Sequence, residues 1–395
     1  MNRNGDQVVL AGGVRTPFGR FGGALKDTPA RELAELVVRE ALERAGVPPT
    51  EVDGVVLGHV VQDTPDSVYM AKHAGLAAGM PETITGLVVN RLCGSGLQAV
   101  LTAAQSILLG EGSLYVAGGA ECLSHVPYQL PGTRYGMRLG PDGGIRDPLA
   151  GPGAAFVDPT SGLVMGATGD NVAKRYRITR EQADEFALRS HERALAANRD
   201  GSFAPDIVAV GEMEHDEHPR ETSLEKLASL KTIFSEDGVC TAGNSSGLND
   251  GAGALLVLSG ERARDLGVRP LTRVVSWAVT GCEPSVMGIG PVSSTRVALE
   301  RAGLSLDDLD VIEINEAFAA QVLAVGKELD WDWDRVNPHG GAVALGHPLG
   351  ASGARLTVML LRELEERDGR YGLATACIGG GQGIALIVER LPADY

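Results

Sequence analysis

Apolar residues recur along this chain with two periods, and the period changes at glycine and proline. Gln7 to Val14 reads as a strand that ends at Arg15-Thr16-Pro17 and a glycine-rich loop. Thr28-Pro29 then opens a helix with proline just inside its start, and Leu33, Leu36, Val37, Ala41 and Leu42 form one helical stripe up to Gly46. Val52 to Val61 predicts a strand, Ala71 to Gly79 a helix and Gly86 to Asn90 a strand. Leu97 to Leu109 predicts a helix, and Leu114 to Ala117 a strand broken by Gly118-Gly119. From Gly118 to Gly162 the periodicity gives way to a Gly- and Pro-rich loop region. Helices are expected near Gly169 to Tyr176 and Thr179 to Asn198, the second opened by a Thr179/Gln182 capping box. Asp206 to Leu230 is acidic and reads as a solvated loop, because its His215 and His218 lack a third residue at metal-ligand spacing. Order returns at Leu255 to Leu258, and a second α/β block runs from Pro270 to the end.

The pattern repeats. Ala41-Leu42-Glu43-Arg44-Ala45-Gly46 recurs as Ala298-Leu299-Glu300-Arg301-Ala302-Gly303, a shift of 257 residues (298 − 41). The same shift places Asp53 on Asp310, Ser95-Gly96 on Ser352-Gly353, and strand Leu114 to Ala117 on Tyr371 to Ala374. The expected fold is therefore α/β with two duplicated βα halves: residues 1–119 plus 251–269 in the first, 270–395 in the second, and 120–250 inserted as a loop lobe.

Composition narrows the function classes. The 395 residues carry a net charge of −16, which opposes non-specific nucleic-acid binding. No apolar run is read as membrane-spanning, and the polar Met1 to Gln7 lacks a signal-peptide core. Five widely spaced cysteines form neither a disulfide framework nor a zinc pattern, so a reducing, cytoplasmic setting without a metal is expected.

Candidate chemistry starts at Asn90-Arg91-Leu92-Cys93-Gly94-Ser95-Gly96, a turn between a strand and a helix. A cysteine at a helix start faces unpaired N–H groups, which predicts a lowered pKa and a nucleophile; a buried free cysteine is the alternative. Three further stretches are over-specified for packing: Ile314-Asn315-Glu316-Ala317-Phe318, Gly340 to Gly353 around Gly346-His347-Pro348, and Cys377-Ile378-Gly379-Gly380-Gly381. The last lacks the G-x-G-x-x-G order and precedes a strand-like run, which excludes a dinucleotide loop.

Together these four blocks, in this order, resemble the thiolase family over nearly the whole chain. The resemblance implies five αβαβα layers, with coenzyme A thioesters as substrates and no cofactor. It implies that Cys93 becomes acylated, His347 takes its proton, and Cys377 is the acid/base at the α-carbon of a second acetyl-CoA. It implies that His347 and a water on Asn315 hold the enolate oxygen, while N–H groups of Cys93 and Gly379 form the other oxyanion hole. Ser246, Arg220, Met165 and Phe318 would contact acyl-CoA and CoA. Two departures stand out: Val164 where many biosynthetic members carry histidine, and His339 in place of a more usual asparagine. The expected activity is an acetyl-CoA C-acetyltransferase, a reversible Claisen condensation giving acetoacetyl-CoA. The alternatives are a degradative 3-ketoacyl-CoA thiolase and a non-catalytic CoA-binding scaffold. The resemblance also implies a homodimer or homotetramer, and a chain-length preference set by the loop Leu123 to Met165.

Overall fold

The structure is a computed structural model that describes residues 7–136, 144–151 and 154–392. In chain order the first part gives β1 (Val8–Arg15), β2 (Gly19–Arg20), α1 (Ala30–Ala45), β3 (Gly54–Gly58), α2 (Met70–Ala77), β4 (Thr85–Val89), α3 (Ser95–Leu109) and β5 (Leu114–Cys122). The middle gives α4 (Met165–Tyr176), α5 (Arg180–Asp200), α6 (Leu224–Ala228), β6 (Asn249–Ser259) and α7 (Gly260–Leu266). The last part gives β7 (Thr272–Gly281), α8 (Gly290–Ala302), β8 (Leu309–Ile314), α9 (Ala319–Leu329), α10 (Ala342–Leu345), α11 (Leu349–Glu366), β9 (Tyr371–Ile378) and β10 (Gln382–Arg390).

Among the described residues the strands form one sheet in the order β4-β3-β5-β6-β1-β7-β10-β9-β8, with β2 beside β6. The order is a near-palindrome about β1 and β7, which pair only at Val9–Arg273 and Leu10–Thr272. The sheet folds around α3 and α11, which pack on each other and on strands of both halves. Helices α1 and α2 cover one outer face, and α8 and α9 the other. These are the five expected layers. Each leucine fully buried between them, such as Leu97, Leu356 or Leu360, contributes about 1.5–3 kcal/mol.

The internal repeat holds at the level of single bonds. Asp53 Oδ2 accepts from Ser113 N (2.7 Å) and Leu114 N (3.0 Å), and Asp310 Oδ2 accepts from Arg370 N (2.6 Å) and Tyr371 N (3.1 Å). Both partners of Asp310 lie 257 positions beyond those of Asp53. The two central helices touch at equivalent glycines. A methyl group on Gly96 would lie 2.6 Å from Ala354 N, and one on Gly353 would collide with Leu97 N. Only glycine lets the backbones approach this closely, and the crossing brings the start of α3 next to the start of α11.

Several boundaries differ from the sequence expectation. Gly118-Gly119 does not break β5: the strand runs on to Cys122, paired with β6. A methyl on Gly119 would lie 2.7 Å from Gly58 O, so these glycines serve close approach rather than a turn. Strand β3 is shorter than Val52 to Val61, because the Val60 and Val61 N–H groups turn to the Glu121 carboxylate (3.1 and 2.9 Å). Pro29 is the residue before α1 rather than its first residue. The Thr179/Gln182 capping box is present, with bonds of 3.3 and 3.0 Å. Contrary to expectation, Leu92–Leu109 has the length and mean hydropathy (1.4) of a membrane span. It is α3 and its entry turn, and α3 packs between the two halves. Within the expected chain-length loop, residues 137–143 and 152–153 lie outside the described residues.

Candidate active site

Cys93 sits in a tight turn between β4 and α3. Asn90 Oδ1 accepts from Leu92 N (3.0 Å), and Leu92 takes a left-handed φ of 48°. That conformation costs a non-glycine residue about 1–3 kcal/mol. Ser95 Oγ braces the turn by accepting from Arg91 N (2.9 Å) and donating to Leu92 O (2.7 Å). The sulfur does not receive the helix N–H groups that the sequence reading assigned to it. Gly94 N donates to Arg91 O (3.0 Å) and Ser95 N to Leu92 O (3.0 Å), so the turn itself consumes them. Burial instead pushes the Cys93 thiol up to about 11, opposed by the N–H groups of Gly379 and of Cys93 itself. At rest the group is a thiol, and its proton must leave as it reacts.

A base for that proton is present. His347 follows Gly346 in the turn before α11, and its N–H donates to Asn249 Oδ1 (3.1 Å). Its Nδ1 is 2.6 Å from Ser352 Oγ, and that hydroxyl donates to Pro348 O (3.0 Å). The hydroxyl proton is thus occupied, so Ser352 accepts from Nδ1–H and Nε2 is left as an acceptor. Asn315 Nδ2 donates to Nε2 at 3.2 Å, which agrees with that tautomer. Burial holds the imidazole at about 3, so it is neutral across physiological pH. Asn315 is fully buried, and its Oδ1 has no hydrogen-bond partner among the described residues. A buried amide oxygen in that state calls for a donor from water or substrate.

Cys93 and His347 line a cavity of about 300 Å³. Met165, Ser246 and Phe318 line it too, together with Leu149, Phe156, Val164, Phe234 and Leu248. Cys377, near the end of β9, is buried behind this wall against Met287, Ala317 and Phe318. Burial pushes its thiol well above the ordinary range, and Cys93 and Cys282 add to the shift. Asn315 and Gly379 reach the cavity through His347 and the Cys93 sulfur respectively. Arg220 does not line it. Its side chain donates to Ala242 O (3.1 Å) and lies 3.4 Å from His218 Nε2, on an exposed stretch. His218 therefore has a cation beside it.

Sequence reasoning missed Ser352 and Asn249 as the groups that aim His347. The repeat held a signal for the first, since Ser352 is the counterpart of Ser95 and each hydroxyl pins its own site loop. Phe234, which meets Phe318 edge-on at 6.3 Å, left no such signal.

Known proteins place this arrangement. The family pattern described as "Thiolase, N-terminal domain" matches residues 8–261, and "Thiolase, C-terminal domain" matches residues 268–390. A beta-ketothiolase of Cupriavidus necator is 49% identical over 395 residues, covering 98% of this chain and 99% of its own length. The crystal structure of human mitochondrial 3-ketoacyl-CoA thiolase in complex with CoA superposes with a TM-score of 0.94 at 43% identity, covering 98% of each chain. The acetyl-CoA acetyltransferase of Bacillus anthracis gives a TM-score of 0.94 at 48% identity, covering 98% of this chain and 99% of that one. With both halves matched by pattern, sequence and structure, the chain belongs to the thiolase family.

Proposed function

We propose that this chain is an acyltransferase that carries out a reversible Claisen condensation of two acetyl-CoA molecules to acetoacetyl-CoA and CoA. The observation that carries the reading is the pairing, at one cavity, of the Cys93 thiol with a neutral imidazole whose Nε2 carries no proton and accepts from Asn315 Nδ2. His347 Nε2 takes the Cys93 proton as the sulfur attacks the thioester carbonyl. The departing CoA thiolate takes the Cys377 proton and leaves as its thiol, so an acetyl group remains on Cys93, Cys377 becomes a thiolate, and His347 keeps its new Nε2–H. Cys377 then removes an α-proton from a second acetyl-CoA. The resulting carbanion attacks the acetyl carbonyl, the bond to Cys93 breaks, His347 returns its proton to the Cys93 sulfur, and acetoacetyl-CoA departs.

Two sets of donors stabilise the anions. Cys93 and Gly379 N–H groups serve the tetrahedral oxyanion, and His347 with a water on Asn315 serves the enolate. The unpartnered Asn315 Oδ1 supports that water. Met165, Ser246 and Phe318 line the acyl and pantetheine channel, and Arg220, outside it, meets the CoA nucleotide. The reaction needs no cofactor. Residues 120–250 act as the inserted lobe that carries this channel between the halves 1–119 plus 251–269 and 270–395.

A second reading is favoured by one observation. Leu149, Phe156, Val164 and Leu248 make the cavity wall apolar, which suits longer 3-ketoacyl chains and degradative thiolysis. Steady-state thiolysis of acetoacetyl-CoA against longer 3-ketoacyl-CoA esters decides between the two. A kcat/KM that rises with chain length selects the second, and no turnover of either removes both. We further propose a homodimer or homotetramer in the cytoplasm. Support comes from edge strand β4 with Leu87 exposed, from the nearby exposed Val68 and Tyr69, and from five free cysteines.

A further inference from the structure

On the Claisen reading above, on which this rests, we propose that the buried Glu313–Arg355 pair is a positioning pair that sets the spacing between Asn315 and His347. Asn315 follows Glu313 by two positions at the end of β8, and its N–H extends the ladder to Thr375 O (3.0 Å), so the two side chains stand on one face of the strand. Arg355 follows Ser352 by three positions on α11, so it shares that helix face, and helical side chains lean toward the helix start. Strand and helix therefore meet twice. At the cavity Asn315 Nδ2 donates to His347 Nε2, and His347 Nδ1 to Ser352 Oγ. One step deeper, Arg355 Nη1 donates to Glu313 Oε2 at 3.3 Å, with both side chains 0% exposed. Burial keeps the His347 imidazole neutral and the Arg355 charge adds to that effect, so the guanidinium lies within electrostatic reach of the ring.

Fold stability does not account for the pair. Its charges share one contact, and Arg355 Nη1 otherwise reaches Met359 Sδ at 3.7 Å. Arg355 Nε and Nη2 and Glu313 Oε1 have no hydrogen-bond partner among the described residues. Two charges buried with so few bonds cost more to desolvate than their attraction returns, and neutral residues packed in their place often hold a fold as well or better.

The internal repeat supplies the comparison. Subtracting 257 places Glu313 on Val56 and Arg355 on Gln98. Val56 is buried, and Gln98 Nε2 donates to Thr102 Oγ1 (3.1 Å), the counterpart of Met359. Helix α3 thus packs on β3 with neutral residues where α11 packs on β8 with charged ones. The first half also carries Asn90 in place of His347 and Gly58 in place of Asn315. The charges occur in the half that has an imidazole and an amide to align. Apolar burial has no direction, whereas parting opposite charges in a low-dielectric interior is steeply unfavourable. The pair therefore locks the register of α11 on β8 beneath the site.

The test gives the second half the residues of the first, Glu313→Val with Arg355→Gln, so that no lone charge is left buried. The crystal structure of this double variant should show Asn315 Nδ2 and His347 Nε2 more than about 3.5 Å apart. Its kcat for thiolysis of acetoacetyl-CoA should fall about 10- to 100-fold, with KM within about twofold and the unfolding midpoint not lowered. Arg355→Lys keeps a cation for the one carboxylate oxygen in use and should hold kcat within about threefold. Should the Val/Gln pair fail to fold, Glu313→Gln with Arg355→Met, closer in shape, carries the same expectations. A spacing still at 3.2 Å overturns the proposal whatever reaction the chain performs. A lengthened spacing upholds it even if the wild-type chain forms no acyl-Cys93, a result that sinks the Claisen reading alone. Wild-type kcat in the double variant, or a loss that only tracks a lowered unfolding midpoint, also overturns it.

Discussion

Replacing Ser352 with alanine removes one oxygen and leaves His347 without its Nδ1 acceptor. Pro348 O keeps two other donors, Ala351 N (3.0 Å) and Ser352 N (2.9 Å), so the start of α11 stays satisfied. The imidazole has two choices. Keeping the proton on Nδ1 leaves a buried N–H unpaired, at about 1–3 kcal/mol. Moving it to Nε2 points an N–H at the Asn315 amide donor 3.2 Å away and removes the lone pair the reaction needs. Either way the active tautomer becomes less populated or less well aimed. At about 1.4 kcal/mol per decade, the acylation rate should fall roughly 10- to 100-fold. The assay is the rapid-quench burst of CoA release from acetyl-CoA, with KM measured alongside. A purely structural role would lower the unfolding midpoint and leave the burst rate of the folded fraction intact. A wild-type burst rate in Ser352→Ala refutes the claim that this hydroxyl sets the tautomer.

Other expectations follow from the same geometry. In Gly379→Ala the new methyl lies 3.1 Å from Met165 Sδ and 3.2 Å from Leu92 Cδ1, so the loop must shift and its N–H leaves the Cys93 sulfur. Loss of one such donor should lower kcat by about 10²-fold, checked by steady-state kinetics. Gly353→Ala forces the crossing of α3 and α11 apart, and should destabilise by more than about 4 kcal/mol or prevent folding, read by urea unfolding. The His347 pKa is depressed from 6.5 to about 3, so between those values the unfolded chain binds the extra proton and stability falls as pH falls. His347→Gln should flatten that acid limb by at most about 4 kcal/mol in unfolding measurements from pH 7 to 3.

Much of this arrangement was legible before any coordinates. The repeat offset of 257 residues located the paired halves, because the Asp53 and Asp310 carboxylates, and Gly96 and Gly353, do the same job in each. The four blocks, through their resemblance to the thiolase family, pointed to Cys93, Asn315, His347 and Cys377. What the sequence hid was local competition. Nothing in Asn90 to Ser95 reveals that the turn spends the helix-start N–H groups on itself and leaves the sulfur protonated. Gly118-Gly119 looked like a break because sequence cannot tell a glycine that turns from one that admits another backbone. His339 stood out as a departure whose partner the sequence does not name, because Glu363 is 24 positions away (363 − 339) and meets it only through the fold.

The central claim is that two thiols divide the work, Cys93 carrying the acyl group and Cys377 moving the α-proton. Intact-protein mass spectrometry after mixing with acetyl-CoA, paired with detection of acetoacetyl-CoA, tests it directly. Cys377→Ala should gain one acetyl group, mapped to Cys93, and make no condensation product, while Cys93→Ala should gain none. An acetyl group on another residue, or acetoacetyl-CoA formed by Cys377→Ala at the wild-type rate, would contradict the account.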